Sequence, residues 1–104
     1  MKIINPATEE VLEELREEDE KTIQEKYRLL KNGQPAWAAL PIDRRIAFIA
    51  KFYDLLEAEK DHLAATLTSE VGKPLQQSYN ELNGARARIK FFIDNSARWL
   101  KDEW

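Results

Sequence analysis

The sequence predicts a mainly α fold, about four helices in a small bundle behind a short amino-terminal extended segment or hairpin. Three observations carry this expectation. Apolar residues recur at helical spacing through most of the chain after Asp19. Glycine and proline punctuate that pattern where helices stop and start, and the β-branched pair Ile3-Ile4 runs into the turn-forming Asn5-Pro6. One domain is expected over residues 1–104, with 1–18 extended and 19–104 helical.

From the amino terminus, Lys2 to Asn5 reads as a short strand entering a turn, because proline fixes its own φ at Pro6. Val11, Leu12 and Leu15 lie among Glu9, Glu10, Glu13, Glu14 and Arg16 and fit either a returning strand or an early helix. Asp19 is placed to cap a first helix over residues 20–32, in which Ile23, Tyr27 and Leu30 share a face and Asn32-Gly33 is the stop signal. Gln34 to Leu40 then reads as a linker, since Pro35 ends a helix and Trp37 is large enough to plug against a neighbour.

Pro41 suits the first turn of a second helix, whose apolar stripe runs through Ile42, Ile46, Ile49, Phe52, Tyr53 and Leu56 and resumes at Leu63 and Leu67. The polar interval Glu57 to Asp61 predicts a break, with Asp61 capping a third helix that runs to Val71 and ends at Gly72. The last helix begins near Pro74 and carries Leu75, Tyr79, Leu82, Ile89, Phe92, Ile93 and Leu100 on one broad face. Gly84 inside it predicts a close helix crossing or a kink.

Composition narrows the function. With 16 Lys and Arg against 19 Asp and Glu, the net charge is -3, so no basic field recruits nucleic acid. The absence of cysteine removes disulfides, thiolate nucleophiles and the usual zinc ligands together. No apolar run is long enough for a signal peptide or a membrane span, which makes a cytoplasmic protein without membrane partners the expectation.

The residues that could carry chemistry each have a plainer reading. His62, the one histidine, has neither cysteine nor second histidine to share a metal with. Gly72-Lys73 has the ending of a phosphate loop, but Leu67 and Pro74 stand where that loop needs glycine and Ser or Thr. The carboxylates from Glu9 to Glu20 read as a solvated face, without the glycine-turned loop of a calcium site. Arg86, Arg88 and Lys90 beside Phe91 and Phe92 mix basic and aromatic residues as single-strand binders do. On a helix, however, Phe92 joins the buried stripe and the charges face outward. Trp37, Trp99 and Trp104 point to core or interface burial.

Ile4-Asn5-Pro6-Ala7-Thr8-Glu9-Glu10-Val11 resembles the opening hairpin of the NAD(P)-dependent aldehyde dehydrogenases. Pro35-Ala36-Trp37 followed by Leu40-Pro41, Arg45, Phe52, Leu55, Leu56 and Glu57 is similar to that family's proline/tryptophan linker and the helix after it. Thr68-Ser69-Glu70-Val71-Gly72-Lys73-Pro74-Leu75 looks like its glutamate-x-glycine-lysine-proline segment, with the pair Phe91-Phe92 in the expected place. The three motifs stand in the family's order and cover nearly the whole chain. One position departs, because Glu9 stands where the family commonly has glycine, whose backbone angles glutamate reaches only at a cost.

The resemblance implies a parent enzyme that oxidises an aldehyde to a carboxylic acid with NAD or NADP. In that family the dinucleotide-binding strands, the catalytic glutamate and the nucleophilic cysteine lie further along than residue 104. The chain is therefore expected to be an amino-terminal fragment, with no catalytic or cofactor-binding residue and no activity alone. Some members hold a monovalent cation between the backbone near the position of Ile4 and the acidic residue matching Glu70. For this chain an exposed helix-end carboxylate is the plainer expectation at Glu70. The expected partners are a second copy, or the remainder of a dehydrogenase, meeting apolar helix faces left exposed.

Overall fold

Asn5 and Pro6 start the fold by turning the chain back on itself. In the computed structural model, which describes residues 1–101, strand β1 (Lys2–Ile4) pairs antiparallel with β2 (Val11–Glu14). Lys2 faces Glu14 and Ile3 faces Glu13, but Ile4 faces Val11, so the register steps over Leu12. The side-chain oxygen of Asn5 accepts the Ala7 N–H at 2.9 Å, the Asx turn that makes asparagine before proline an effective chain reverser. The Asn5 N–H donates to the Glu10 carbonyl at 2.9 Å and the Glu9 N–H to the Asn5 carbonyl at 2.8 Å. Glu9 adopts φ 63°, the left-handed angle that glycine would take there. The segment after Val11 is thus the returning strand and not an early helix. Its pairing continues past the strand ends, where Leu15 N–H meets the Met1 carbonyl at 2.8 Å.

Helix α1 (Glu20–Ala38) begins where Asp19 and Thr22 cap each other. The Asp19 carboxylate accepts the Thr22 N–H at 2.8 Å and the Asp19 N–H donates to the Thr22 hydroxyl at 3.0 Å. The helix does not stop at Asn32-Gly33. It continues through Gly33 and Pro35 to Ala38, so the expected linker from Gln34 is helical over most of its length. A glycine stop needs a left-handed φ, and Gly72 is the one glycine that has it. Pro35 removes its own N–H from the ladder, but its carbonyl still accepts from Ala39 at 3.0 Å.

Pro41 (φ −53°) sets the start of α2 (Ile42–Ala58), and a one-residue break at Glu59 separates it from α3 (Lys60–Val71). Asp61 does not cap α3. It lies inside the first turn, where its carboxylate accepts the Tyr79 hydroxyl at 2.8 Å. Gly72 ends α3 at φ 78°, with its N–H on the Thr68 carbonyl at 2.8 Å. Pro74 then opens α4 (Leu75–Trp99), the longest element. A methyl group at Gly84 would meet nothing within 4 Å, so no close helix crossing occurs there.

Helices α2 and α3 both pack along α4, while α1 makes no extended contact with any element. The inner edge of the stripe, Ile46, Tyr53, Leu56, Leu63, Leu67, Leu82, Ile89 and Ile93, is half-buried. Among the described residues only Ala64 and Ser78 are fully buried. Ser78 is tolerated there because its hydroxyl lies 2.8 Å from that of Thr68. The outer edge of the same stripe is open, with Phe52 and Phe92 each 50% exposed, so Phe92 is not the buried residue its spacing suggests. The chain exposes 8667 Å², against about 6,000 Å² for a compact 12.2 kDa protein. Its radius of gyration is 18.3 Å, where about 13 Å is usual at this length.

Candidate functional site

Two of the three sequence motifs meet in space. The hairpin turn rests on the corner between α3 and α4 so closely that a Cβ on Gly72 would lie 2.6 Å from Cγ of Pro6. Around this contact a shallow pocket is lined by Asn5, Ala7, Thr68, Ser69, Gly72 and Lys73, among others. Lys73 is tied down by an ion pair with Glu81 on α4. The corner is a structural joint: its glycine is filled by a proline ring, leaving no cradle for a dinucleotide phosphate at the one left-handed glycine.

Ile4 sits at the end of β1 and Glu70 is exposed in the last turn of α3, and neither lines the pocket between the turn and the corner. Among the described residues no group of three or more His, Asp or Glu side chains is placed to hold a metal ion. A hard cation needs several oxygens at once, and Glu70 brings one carboxylate. His62 is likewise exposed in the first turn of α3. The acidic run is exposed from Glu9 to Glu20, and several of its members, Glu10, Glu17, Glu18, Asp19 and Glu20, make local contacts. Glu18 pairs with Lys26, and this contact, with that to Thr22, holds its carboxyl below the ordinary value.

The basic and aromatic cluster on α4 does not all face outward. Arg86 turns toward α2, where its guanidinium lies 4.1 Å from the Tyr53 ring centre and 2.5 Å from the Glu57 carboxylate. Lys90 is paired with Asp94 one turn on. Phe91 and Phe92 instead gather with Trp99, whose ring centre is 5.2 Å from that of Phe91 and 6.5 Å from that of Phe92. Trp99 is 49% exposed and Trp37 41%, so neither is a core residue, and Trp104 lies outside the described residues.

A second concavity is an apolar groove of about 150 Å³ between α2 and the end of α4, walled by Trp37, Ile46, Ile49, Phe92 and Leu100. Arg45 also lines it, and its Nε is buried without a hydrogen-bond partner. The sequence signals for both concavities were the proline/tryptophan and glycine-lysine-proline segments. The Thr68–Ser78 and Tyr79–Asp61 pairs had no signal, since each joins two helices whose register only the fold sets.

The aldehyde dehydrogenase family model matches residues 1–103. The chain belongs to the aldehyde dehydrogenase family. It is 32% identical over 92 residues to the 3,6-anhydro-alpha-L-galactose dehydrogenase of a Vibrio species, covering 88% of this chain and 19% of that protein. It is 30% identical over 102 residues to the glutarate-semialdehyde dehydrogenase of Pseudomonas putida, covering 98% of this chain and 21% of that one. A probable NADP-dependent succinate-semialdehyde dehydrogenase of Synechocystis is 29% identical over 100 residues, 96% of this chain and 22% of the relative. The chain thus spans about a fifth of the length of the curated dehydrogenases it matches. Among its described residues no helix is long and apolar enough to cross a membrane.

Proposed function

We propose that this chain is the amino-terminal helical support of an aldehyde dehydrogenase that uses NAD or NADP, and that it is not catalytic by itself. The observation that carries the reading is a family match over residues 1–103 in a sequence without cysteine. Thiolate attack on the aldehyde, hydride loss to the nicotinamide and hydrolysis of the thioester need groups this chain does not supply. Its own residues do a different task. Gly72 and Pro6 fix the hairpin to the helices, Arg86 bridges α4 to α2, and the open faces of α2 and α4 await cover. Glu70 acts as a solvated helix-end carboxylate, and a cytoplasmic location is part of the reading.

The test is to incubate the purified chain with short aldehydes, including glutarate and succinate semialdehydes, and either NAD or NADP, following reduced nicotinamide by absorbance. No turnover is expected, and turnover above the buffer rate would overturn the reading.

A second reading is a stand-alone interaction module that associates with its own kind or with a dehydrogenase chain lacking this segment. The exposed large apolar side chains favour it, among them Leu30, Phe52, Phe92 and Leu100, because contiguous exposed apolar surface drives association.

A further inference from the structure

We propose that Asn32-Gly33 is a self-modifying site, at which the backbone nitrogen of Gly33 displaces the side-chain amide of Asn32 whenever α1 opens there. Asparagine is a thermolabile residue because of this reaction. The Gly33 nitrogen bonds to Cγ of Asn32 and the bond from Cγ to Nδ2 breaks, the Gly33 amide proton leaving on ammonia. Water then opens the cyclic imide at one of its two carbonyls. The products are aspartate at position 32, or isoaspartate, whose main chain runs through the former side chain.

The chemistry picks out two places. Among the asparagines, Asn32 and Asn83 alone precede glycine, while Asn5 precedes a proline, whose nitrogen has no hydrogen to give up. Both lie inside helices and are exposed, and a Cβ on either glycine would meet nothing within 4 Å. Crowding therefore does not separate them. The cost of opening the helix does, because a helical glycine N–H is committed to the carbonyl four residues back. The asparagine must also leave its helical ψ before the nitrogen can face Cγ.

Around Asn32 that cost is low. Pro35 has no N–H, so the Lys31 carbonyl beside Asn32 receives no ladder bond, and the proline ring crowds that carbonyl and disfavours helical backbone at Gln34. Around Asn83 the chain is pinned. One turn before it the Tyr79 hydroxyl donates to Asp61 of α3. Three residues after it Arg86 donates from Nε to the Tyr53 carbonyl at 3.4 Å and pairs with Glu57 of α2. Opening α4 there breaks bonds to two other helices.

The accessibility of Asn32 does not depend on what packs against α1. It lies about two and a half turns after Ile23, and so on the opposite side of the helix from Ile23, Tyr27 and Leu30. There it shares a shallow surface with Glu25 and Arg28. Cover over the apolar stripe leaves Asn32 in water. The isoaspartate product inserts an extra carbon into the main chain, which puts residues 33–38 out of step with the ladder. Trp37, whose ring centre is 5.8 Å from that of Phe48, then loses the helix that carries it.

The test holds the full chain in warm, mildly alkaline buffer and maps the modified residues by mass spectrometry of peptides cut by pepsin at low pH, where the imide forms slowly. Asn32 is expected to be converted about tenfold or more faster than Asn83. In concentrated urea, with both helices melted, the two rates should become comparable. Pro35→Ala leaves the Asn-Gly pair intact and restores the Lys31 bond, so it should slow conversion at Asn32 about tenfold or more and leave Asn83 unchanged. Equal conversion of the two sites in buffer, or a Pro35→Ala chain converted as fast as the parent, overturns the proposal. So does a chain in buffer that keeps Asn32 intact for as long as the urea-melted chain takes to lose it.

Discussion

Pro6 and Gly72 occupy one another's space: the proline Cγ lies 2.6 Å from where any side chain at residue 72 would have to begin. Gly72 is thus required twice, once for its φ of 78° as the terminator of α3 and once for the absence of a Cβ under the hairpin turn. Gly72→Ala is expected to cost about 2–4 kcal/mol, combining left-handed strain with overpacking. Amide exchange at Asn5 should report the hairpin lifting from the corner. Adding Pro6→Ala should restore the part due to overlap and leave the part due to φ.

Glu9 holds the hairpin turn at φ 63° without the residue best suited to that angle. Glu9→Gly is expected to stabilise the hairpin by roughly 0.5–1 kcal/mol after allowing for glycine's freer unfolded chain. Slower exchange of the Asn5 and Glu10 amides would show it. Glu9→Ala keeps the strain and should leave exchange unchanged.

The two helical glycines have open space where a Cβ would go. Gly33→Ala and Gly84→Ala should each raise helix stability by about 1 kcal/mol, seen as a higher midpoint of the helical circular dichroism signal on heating. A loss at Gly84 would reveal that something covers this face in solution.

Tyr79 donates its hydroxyl to Asp61, and that hydrogen bond, helped by desolvation and the carboxylate charge, raises its pKa above the ordinary 10.0. The neutral phenol is the favoured form. Its contribution is therefore complete below the ordinary tyrosine pKa and is lost as pH rises through the folded value. Asp61→Asn should return the titration of Tyr79 toward the ordinary value, and Tyr79→Phe should remove the raised step followed by ultraviolet absorbance.

Much of this fold was legible because its signals are local. Asp19, Gly72, Pro41 and Pro74 act within a turn of themselves, and each sits at or beside the boundary it predicted. The misreadings came where a local signal met a longer-range outcome. Pro35 and Gly33 read as an end to α1 because both disfavour helix interiors, yet the ladder runs through them to Ala38. Arg86 read as outward-facing because its neighbours Arg88 and Lys90 are charged, while its partners Tyr53 and Glu57 lie on another helix that sequence spacing does not reveal. The family motifs located the corner at Gly72, but not that Pro6 fills it, since that contact joins segments far apart in the chain.

With Ala64 and Ser78 its only fully buried described side chains, the molecule has little interior to lose on unfolding. Heat-capacity change and denaturant sensitivity both scale with the surface exposed in that transition. Alone, the chain should melt gradually, helix by helix, over a wide range of temperature. A sharp transition would belong to an assembly, and it would move upward as the protein was concentrated.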